Sequence, residues 1–136
     1  MGAEVIRAVL NAEDCQLVGA IDNTPGKEGV DVGLELGIKE LEVAVTADFE
    51  GCLCAVSQSV RNSNQNAVLV DFTHPSVVFD HTRAAIAYGV HPVIGTTGLS
   101  PTQLNDLTEF SAKASIGGAV IPNFSVGMVL LQQAAA

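Results

Sequence analysis

The chain has no tryptophan, and aromatic residues make up only 4% of its 136 positions. A core of stacked rings is therefore out of reach. What is buried must be Val, Ile, Leu and Ala, the composition of strands covered on both faces. Basic residues are also few: six Lys and Arg against fifteen Asp and Glu, a net charge of −9. That balance repels a nucleic-acid backbone and argues against a DNA or RNA partner. A dinucleotide stays open, because backbone N–H groups and a helix N-terminus can meet its phosphates without any cation. Although 48% of residues are hydrophobic and mean hydropathy is +0.36, no run approaches the ~18 apolar residues of a membrane span. Cysteines number three, Cys15, Cys52 and Cys54. The Cys52-Leu53-Cys54 pair has no second Cys or His pair nearby to complete a tetrahedral site, so no metal is expected. Met1 leads into an amphipathic stretch rather than a basic-then-apolar leader, and a cytoplasmic protein with reduced thiols is the expectation.

What is present reads as one domain over residues 1–136, with strands and helices alternating. Val5, Ile6, Val9 and Leu10 give residues 3–12 one apolar helical face. Gln16 to Ile21 reads as a strand ending at Asp22, and Asn23-Thr24-Pro25-Gly26 as a loop. Residues 30–46 are less regular, with Val43-Ala44-Val45 a candidate strand and Asp48 a candidate helix cap. Ala67 to Phe72 is the clearest strand. Pro75 after Thr73-His74 predicts a helix start, with Val78, Thr82, Ala85 and Ile86 along one stripe up to Gly89. A strand over Val90–Ile94 follows. Ser100-Pro101-Thr102-Gln103 has the form of a capping box, opening a helix with Leu104, Leu107, Phe110 and Ala114 on its inner side. Gly118 to Ile121 predicts a last strand, and an apolar helix is expected after Pro122-Asn123-Phe124-Ser125. Short connections between alternating elements imply an α/β fold with a Rossmann-like, doubly wound parallel sheet.

Two places suggest a ligand. Gly95-Thr96-Thr97-Gly98 lies between a strand and a helix start, where open α/β sheets hold nucleotides. Its glycines permit a sharp turn and close approach, and its hydroxyls can donate and accept. A plain connecting turn is equally compatible with those residues. Asp22 ends what would be the second strand of a dinucleotide fold, where an acidic residue binds the adenosine ribose. It could equally cap the loop before Pro25. Such a fold opens with a strand and a glycine-rich phosphate loop, yet this sequence enters its first helix directly after Met1-Gly2. The first strand is central in the 3-2-1-4-5-6 order, so either the fold differs or this stretch is cut short.

Three motifs, in order, decide between those readings: Val70-Asp71-Phe72-Thr73-His74-Pro75, Val93-Ile94-Gly95-Thr96-Thr97-Gly98, and Ile121-Pro122-Asn123-Phe124-Ser125-Val126-Gly127. Together they resemble the 4-hydroxy-tetrahydrodipicolinate reductases, the dihydrodipicolinate reductases of diaminopimelate and lysine biosynthesis, and the cyanobacterial members above all. The resemblance implies that residues 1–136 are the dinucleotide-binding domain, lacking the first strand and most of the phosphate loop at one end and the catalytic, tetramer-forming domain at the other. In the complete enzyme, hydride passes from NADH or NADPH to a small cyclic dicarboxylate, giving tetrahydrodipicolinate.

By the same resemblance, Gly2 is the last glycine of the phosphate loop and Asp22 faces the adenosine ribose. Gly95, Thr96 and Thr97 lie beside the nicotinamide, with Thr97 also near the substrate carboxylates. Ile121, Pro122, Asn123 and Phe124 orient the carboxamide, Phe72 lines the cleft, and Thr73 fixes the adjoining helix start. Asn23 stands where many members carry a basic residue, leaving Lys27 as the nearest cation and tilting the expectation toward NADH. The family's Glu-x-His-His-x-x-Lys catalytic run is absent, and His74, His81 and His91 do not replace it. No catalytic residue is therefore expected in this chain, and its own oligomeric state is left open. Two alternatives are a non-catalytic nucleotide-binding or regulatory domain and the first half of another two-domain dehydrogenase. The pairing of Gly-Thr-Thr-Gly with Pro-Asn-Phe-Ser-Val-Gly argues against the second.

Overall fold

A computed structural model of the chain describes residues 2–121. They fall into two compact units that divide after Ala67.

The first unit begins with α1 (Gly2–Asn11), which contains no buried residue. β1 (Ala20–Ile21) pairs in parallel with β2 (Val45–Thr46), Ala20 opposite Val45. The strand expected over 16–21 is thus reduced to its last two residues, which are the ones β2 is long enough to pair. Between them lies a four-residue helix, α2 (Val32–Glu35), which the sequence pattern did not reveal. It depends on Asp31. One oxygen of that carboxylate, Oδ1, accepts from the amides of Gly33, Leu34 and Leu41 at 2.8, 3.3 and 3.0 Å. The other, Oδ2, accepts from Val43 at 3.1 Å. One side chain thereby caps a helix and closes a segment twelve residues long. Asp48 caps α3 (Phe49–Val60) through Gly51, as expected.

The second unit is a β-α-β-α-β run. β3 (Val68–Asp71), β4 (His91–Ile94) and β5 (Ala119–Val120) form a parallel sheet in the order 3-4-5. α4 (Val78–Ala87) packs against β4 and against α5 (Pro101–Ala114). The predicted stripe Val78, Thr82, Ala85 and Ile86 is fully buried, with Val90, Ile94 and Leu107 completing the core. The capping box at Ser100 is present in both directions. Two expectations fail here. α4 begins at Val78 rather than at Pro75, because His74 Nδ1 accepts from the Ser76 amide and Val77 N–H turns back to His74 O, which closes a separate turn first. On α5, Leu107 is buried but Leu104 is 37% exposed and Ala114 is exposed, while Phe110 lies under the Arg83 guanidinium. The helix expected after Pro122 lies outside the described residues.

The strands pair in the order 1-2 in the first unit and 3-4-5 in the second, in parallel throughout. The α/β, Rossmann-like parallel architecture is the one the sequence implies. Among the described residues no helix is long and apolar enough to cross a membrane.

Backbone donors around Asp31 hold its carboxyl below the usual carboxylate range, the Leu41 amide contributing most. A folded value below the unfolded one, about 3.9, means the stabilisation is present above that pH and is lost as pH falls toward the folded value. Hydrogen exchange at the Leu41 and Val43 amides should therefore be slow at pH 6 and accelerate below pH 4, after correction for intrinsic rates. Asp31→Ala should abolish the protection at every pH. Unchanged protection in that variant would contradict the account.

Candidate functional site

Strand register gathers the first two motifs and Ile121, the first residue of the third. Asp71 pairs with Ile94, and Ile94 with Val120. The residues that follow, Phe72-Thr73, Gly95-Thr96-Thr97 and Ile121, therefore leave the sheet at one carboxyl edge. Ile121 N–H donates to Ile94 O at 2.8 Å and Gly95 N–H to Asp71 O at 2.8 Å, carrying the pairing one step past the strands. Pro122, Asn123 and Phe124 lie outside the described residues.

The turn is built from contacts between neighbouring loops. A Cβ on Gly95 would run into the Phe72 ring, and one on Gly98 would come within 2.5 Å of Pro75 Cβ. Gly98 also has φ of +107°, which disfavours any side chain. The room these glycines provide is therefore taken by Phe72 and Pro75. The Thr96 hydroxyl is committed as well, donating to Asp71 O at 3.3 Å. Thr97 differs: it is exposed and makes no hydrogen bond among the described residues. Of the two hydroxyls, Thr97 is the one that faces outward uncommitted.

Asp71 itself is buried, and both of its carboxylate oxygens are engaged. Oδ1 accepts from Thr73 N at 2.8 Å and Thr73 Oγ1 at 2.5 Å, and Oδ2 lies 3.2 Å from His81 Nδ1. Both Thr73 bonds thus run back to the end of β3, while α4 starts five residues further on, at Val78. Sequence reasoning passed over both Asp71 and His81. The available signal was an acidic residue ending an apolar strand, where an unpaired charge would be costly once buried. His74 is a local partner of Ser76 at 2.8 Å.

In the first unit Asp22 follows β1, and its amide donates to Thr46 O at 3.1 Å. Its Oδ1 accepts from Thr24 N at 2.9 Å and from Thr24 Oγ1 at 2.6 Å, so the loop-cap reading holds. Lys27 Nζ sits 3.1 Å from Oδ2 and 3.4 Å from Glu35 Oε1. The Thr24 hydroxyl, then the Thr24 amide, and then Lys27 hold the Asp22 carboxyl down at about 2. Its two carboxylates raise the Lys27 ammonium, Asp22 more than Glu35. Of roughly four acceptor positions on a carboxylate, three are occupied. Gly2 is exposed, with open space where a Cβ would stand. No cluster of three or more His, Cys, Asp or Glu suited to a metal occurs among the described residues. A groove of about 270 Å³ runs beside Ile86, Pro92, Leu104, Leu107 and Val120. It contains none of the predicted site residues.

Residues 1–124 match a family described as dihydrodipicolinate reductase, N-terminus. The chain is 96% identical over 136 residues to a 4-hydroxy-tetrahydrodipicolinate reductase of Synechococcus sp. (strain CC9902), covering all of this chain and 49% of that protein. It is 75% identical over 138 residues to the reductase of that name from Prochlorococcus marinus (strain MIT 9313), again covering all of this chain and 49% of the other. A dipicolinate-bound dihydrodipicolinate reductase from Paenisporosarcina sp. TG-14 has a similar structure, with a TM-score of 0.75 and 30% identity over 97% of this chain and 46% of its own. The chain belongs to the dihydrodipicolinate reductase N-terminal family, as the three motifs suggested, and spans about half the length of the curated relatives it matches.

The loop contacts predict a coupled pair. Gly95→Ala should destabilise the second unit by about 1–3 kcal/mol through overpacking against Phe72, read by denaturant unfolding. Combining it with Phe72→Leu should cost less than the sum of the two single changes. Strict additivity would show that the ring and the glycine do not share that space.

Proposed function

We propose that this member of the family supplies the dinucleotide-binding part of a 4-hydroxy-tetrahydrodipicolinate reductase. The observation that supports the reading is the Asp71–Ile94–Val120 register, from which Phe72-Thr73, Gly95-Thr96-Thr97 and Ile121 leave one carboxyl edge of a parallel sheet. That edge is where open α/β sheets hold nucleotides. The dinucleotide, when bound, supplies the hydride. Thr97, exposed and uncommitted, is the hydroxyl that reaches the nicotinamide or a substrate carboxylate. Gly95 and Thr96 shape the turn, Phe72 backs it, and Ile121 leads into the Pro122-Asn123-Phe124 contact. Asp22 accepts from the adenosine ribose and Gly2 belongs to the phosphate loop. The substrate is a cyclic dicarboxylate, and the proton donor and carboxylate-binding cations come from residues outside these 136. The setting is the cytoplasm.

The Asp22 environment supports NADH over NADPH. A ribose 2′-phosphate there would meet two carboxylates, Asp22 and Glu35, and one ammonium that both already hold. Lys27 is the cation on which the preference turns.

Two measurements test this. The isolated 136 residues should show no turnover with NADH and substrate. A chimera in which they replace the matching segment of the 96%-identical relative should be active. Turnover by the isolated chain would contradict the division of labour, and an inactive but folded chimera would contradict the assignment. In that chimera, Glu35→Gln should release Lys27 and lower the KM for NADPH relative to NADH about threefold, the scale of an exposed ion pair. An unchanged ratio would remove Lys27 from cofactor choice.

A further inference from the structure

We infer that His81, which none of the proposed chemistry uses, is a positioning residue for the Gly95-Thr96-Thr97 turn and acts on it through Asp71. The two polar bonds that start the turn, from Gly95 N–H and Thr96 Oγ1, both end on the Asp71 carbonyl. The direction of that carbonyl depends on how residue 71 is held. Its side chain is only 2% exposed and is gripped from two directions. Thr73 grips Oδ1, but Thr73 belongs to the same loop and moves with it. His81 grips Oδ2 from α4, a separate element anchored in the core by Val78 and Thr82. His81 is thus the bond that refers the strand end to a fixed frame. A carboxylate only accepts, so the contact selects the Nδ1–H form of the ring. Without it, the buried oxygen loses a donor that water at 2% exposure cannot readily replace.

The positioning itself stands on these contacts, while its consequence for the cofactor rests on the function proposed above. The test is built to separate the two. His81→Leu keeps bulk and removes the donor. His81→Asn returns an N–H near the Nδ1 position, and His81→Gln carries its N–H one bond too far. In the 136-residue chain, amide exchange at Gly95 should accelerate about tenfold in the Leu and Gln variants, the scale of one lost hydrogen bond to a charged group. It should return toward the parent rate in the Asn variant. The Ile121 amide, bonded to Ile94 O rather than to Asp71, should not change and serves as the internal control.

In the chimera, His81→Leu should raise the KM for NADH by a similar factor with little effect on kcat, and Asn should restore it. Gly95 exchange unchanged in the Leu variant, or equal in Asn and Gln, would overturn the positioning role. Accelerated exchange with an unmoved KM would uphold positioning and overturn the reading of this turn as the cofactor's. Should the Leu variant fail to fold, the Asn and Gln pair carries the same comparison.

Discussion

The two ends of Asp71 hold different parts of the second unit. Its main chain pairs with Ile94 and its carbonyl takes Gly95 N–H and the Thr96 hydroxyl. Its buried carboxylate takes Thr73 and His81. A charge in that position is tolerated only when its oxygens are met by donors, and the donors come from the loop after β3 and from the middle of α4. One residue therefore fixes where β3 ends, where the following loop goes and how the next strand's turn begins. Phe72 then lies against Gly95 and Pro75 against Gly98, so the two loops pack as one block. The exposed Thr97 hydroxyl is presented from that block.

The first unit uses carboxylates differently. Asp31 is half-buried and organises backbone, collecting four amides from the twelve residues that follow it. Asp22 also binds its own loop, through Thr24, and is then balanced by Lys27. Capping a loop and receiving a ribose are compatible on one carboxylate, because the cap occupies Oδ1 and leaves capacity on Oδ2. The Lys27 ammonium beside it is shared between Asp22 and Glu35.

Much of this was legible in the sequence, for identifiable reasons. The α4 stripe, the Ser100 capping box, the Asp48 cap and the strands at 68–71 and 91–94 are local patterns, and local physics decides them. The alternation of elements implied the parallel architecture, and the three ordered motifs implied the family. What stayed hidden depends on partners distant in sequence. The shortening of the 16–21 strand is set by the length of β2, and the Asp31 hub by amides up to twelve residues away. The late start of α4 reflects a His74–Ser76 turn that competes with helix. Most instructive are the glycines of the Gly95–Gly98 turn. Their smallness suggested room for a ligand, whereas their space is filled by Phe72 and Pro75. The exposed, uncommitted hydroxyl of the turn is Thr97.

The central claim is that the carboxyl edge set by the Asp71–Ile94–Val120 register is the cofactor edge. Hydrogen–deuterium exchange of the active chimera, with and without NADH, tests it most directly. The account predicts NADH-dependent protection in peptides spanning 71–75 and 94–100, together with the Asp22 loop. Protection confined to other segments, with 94–100 exchanging at the same rate in both states, would contradict it.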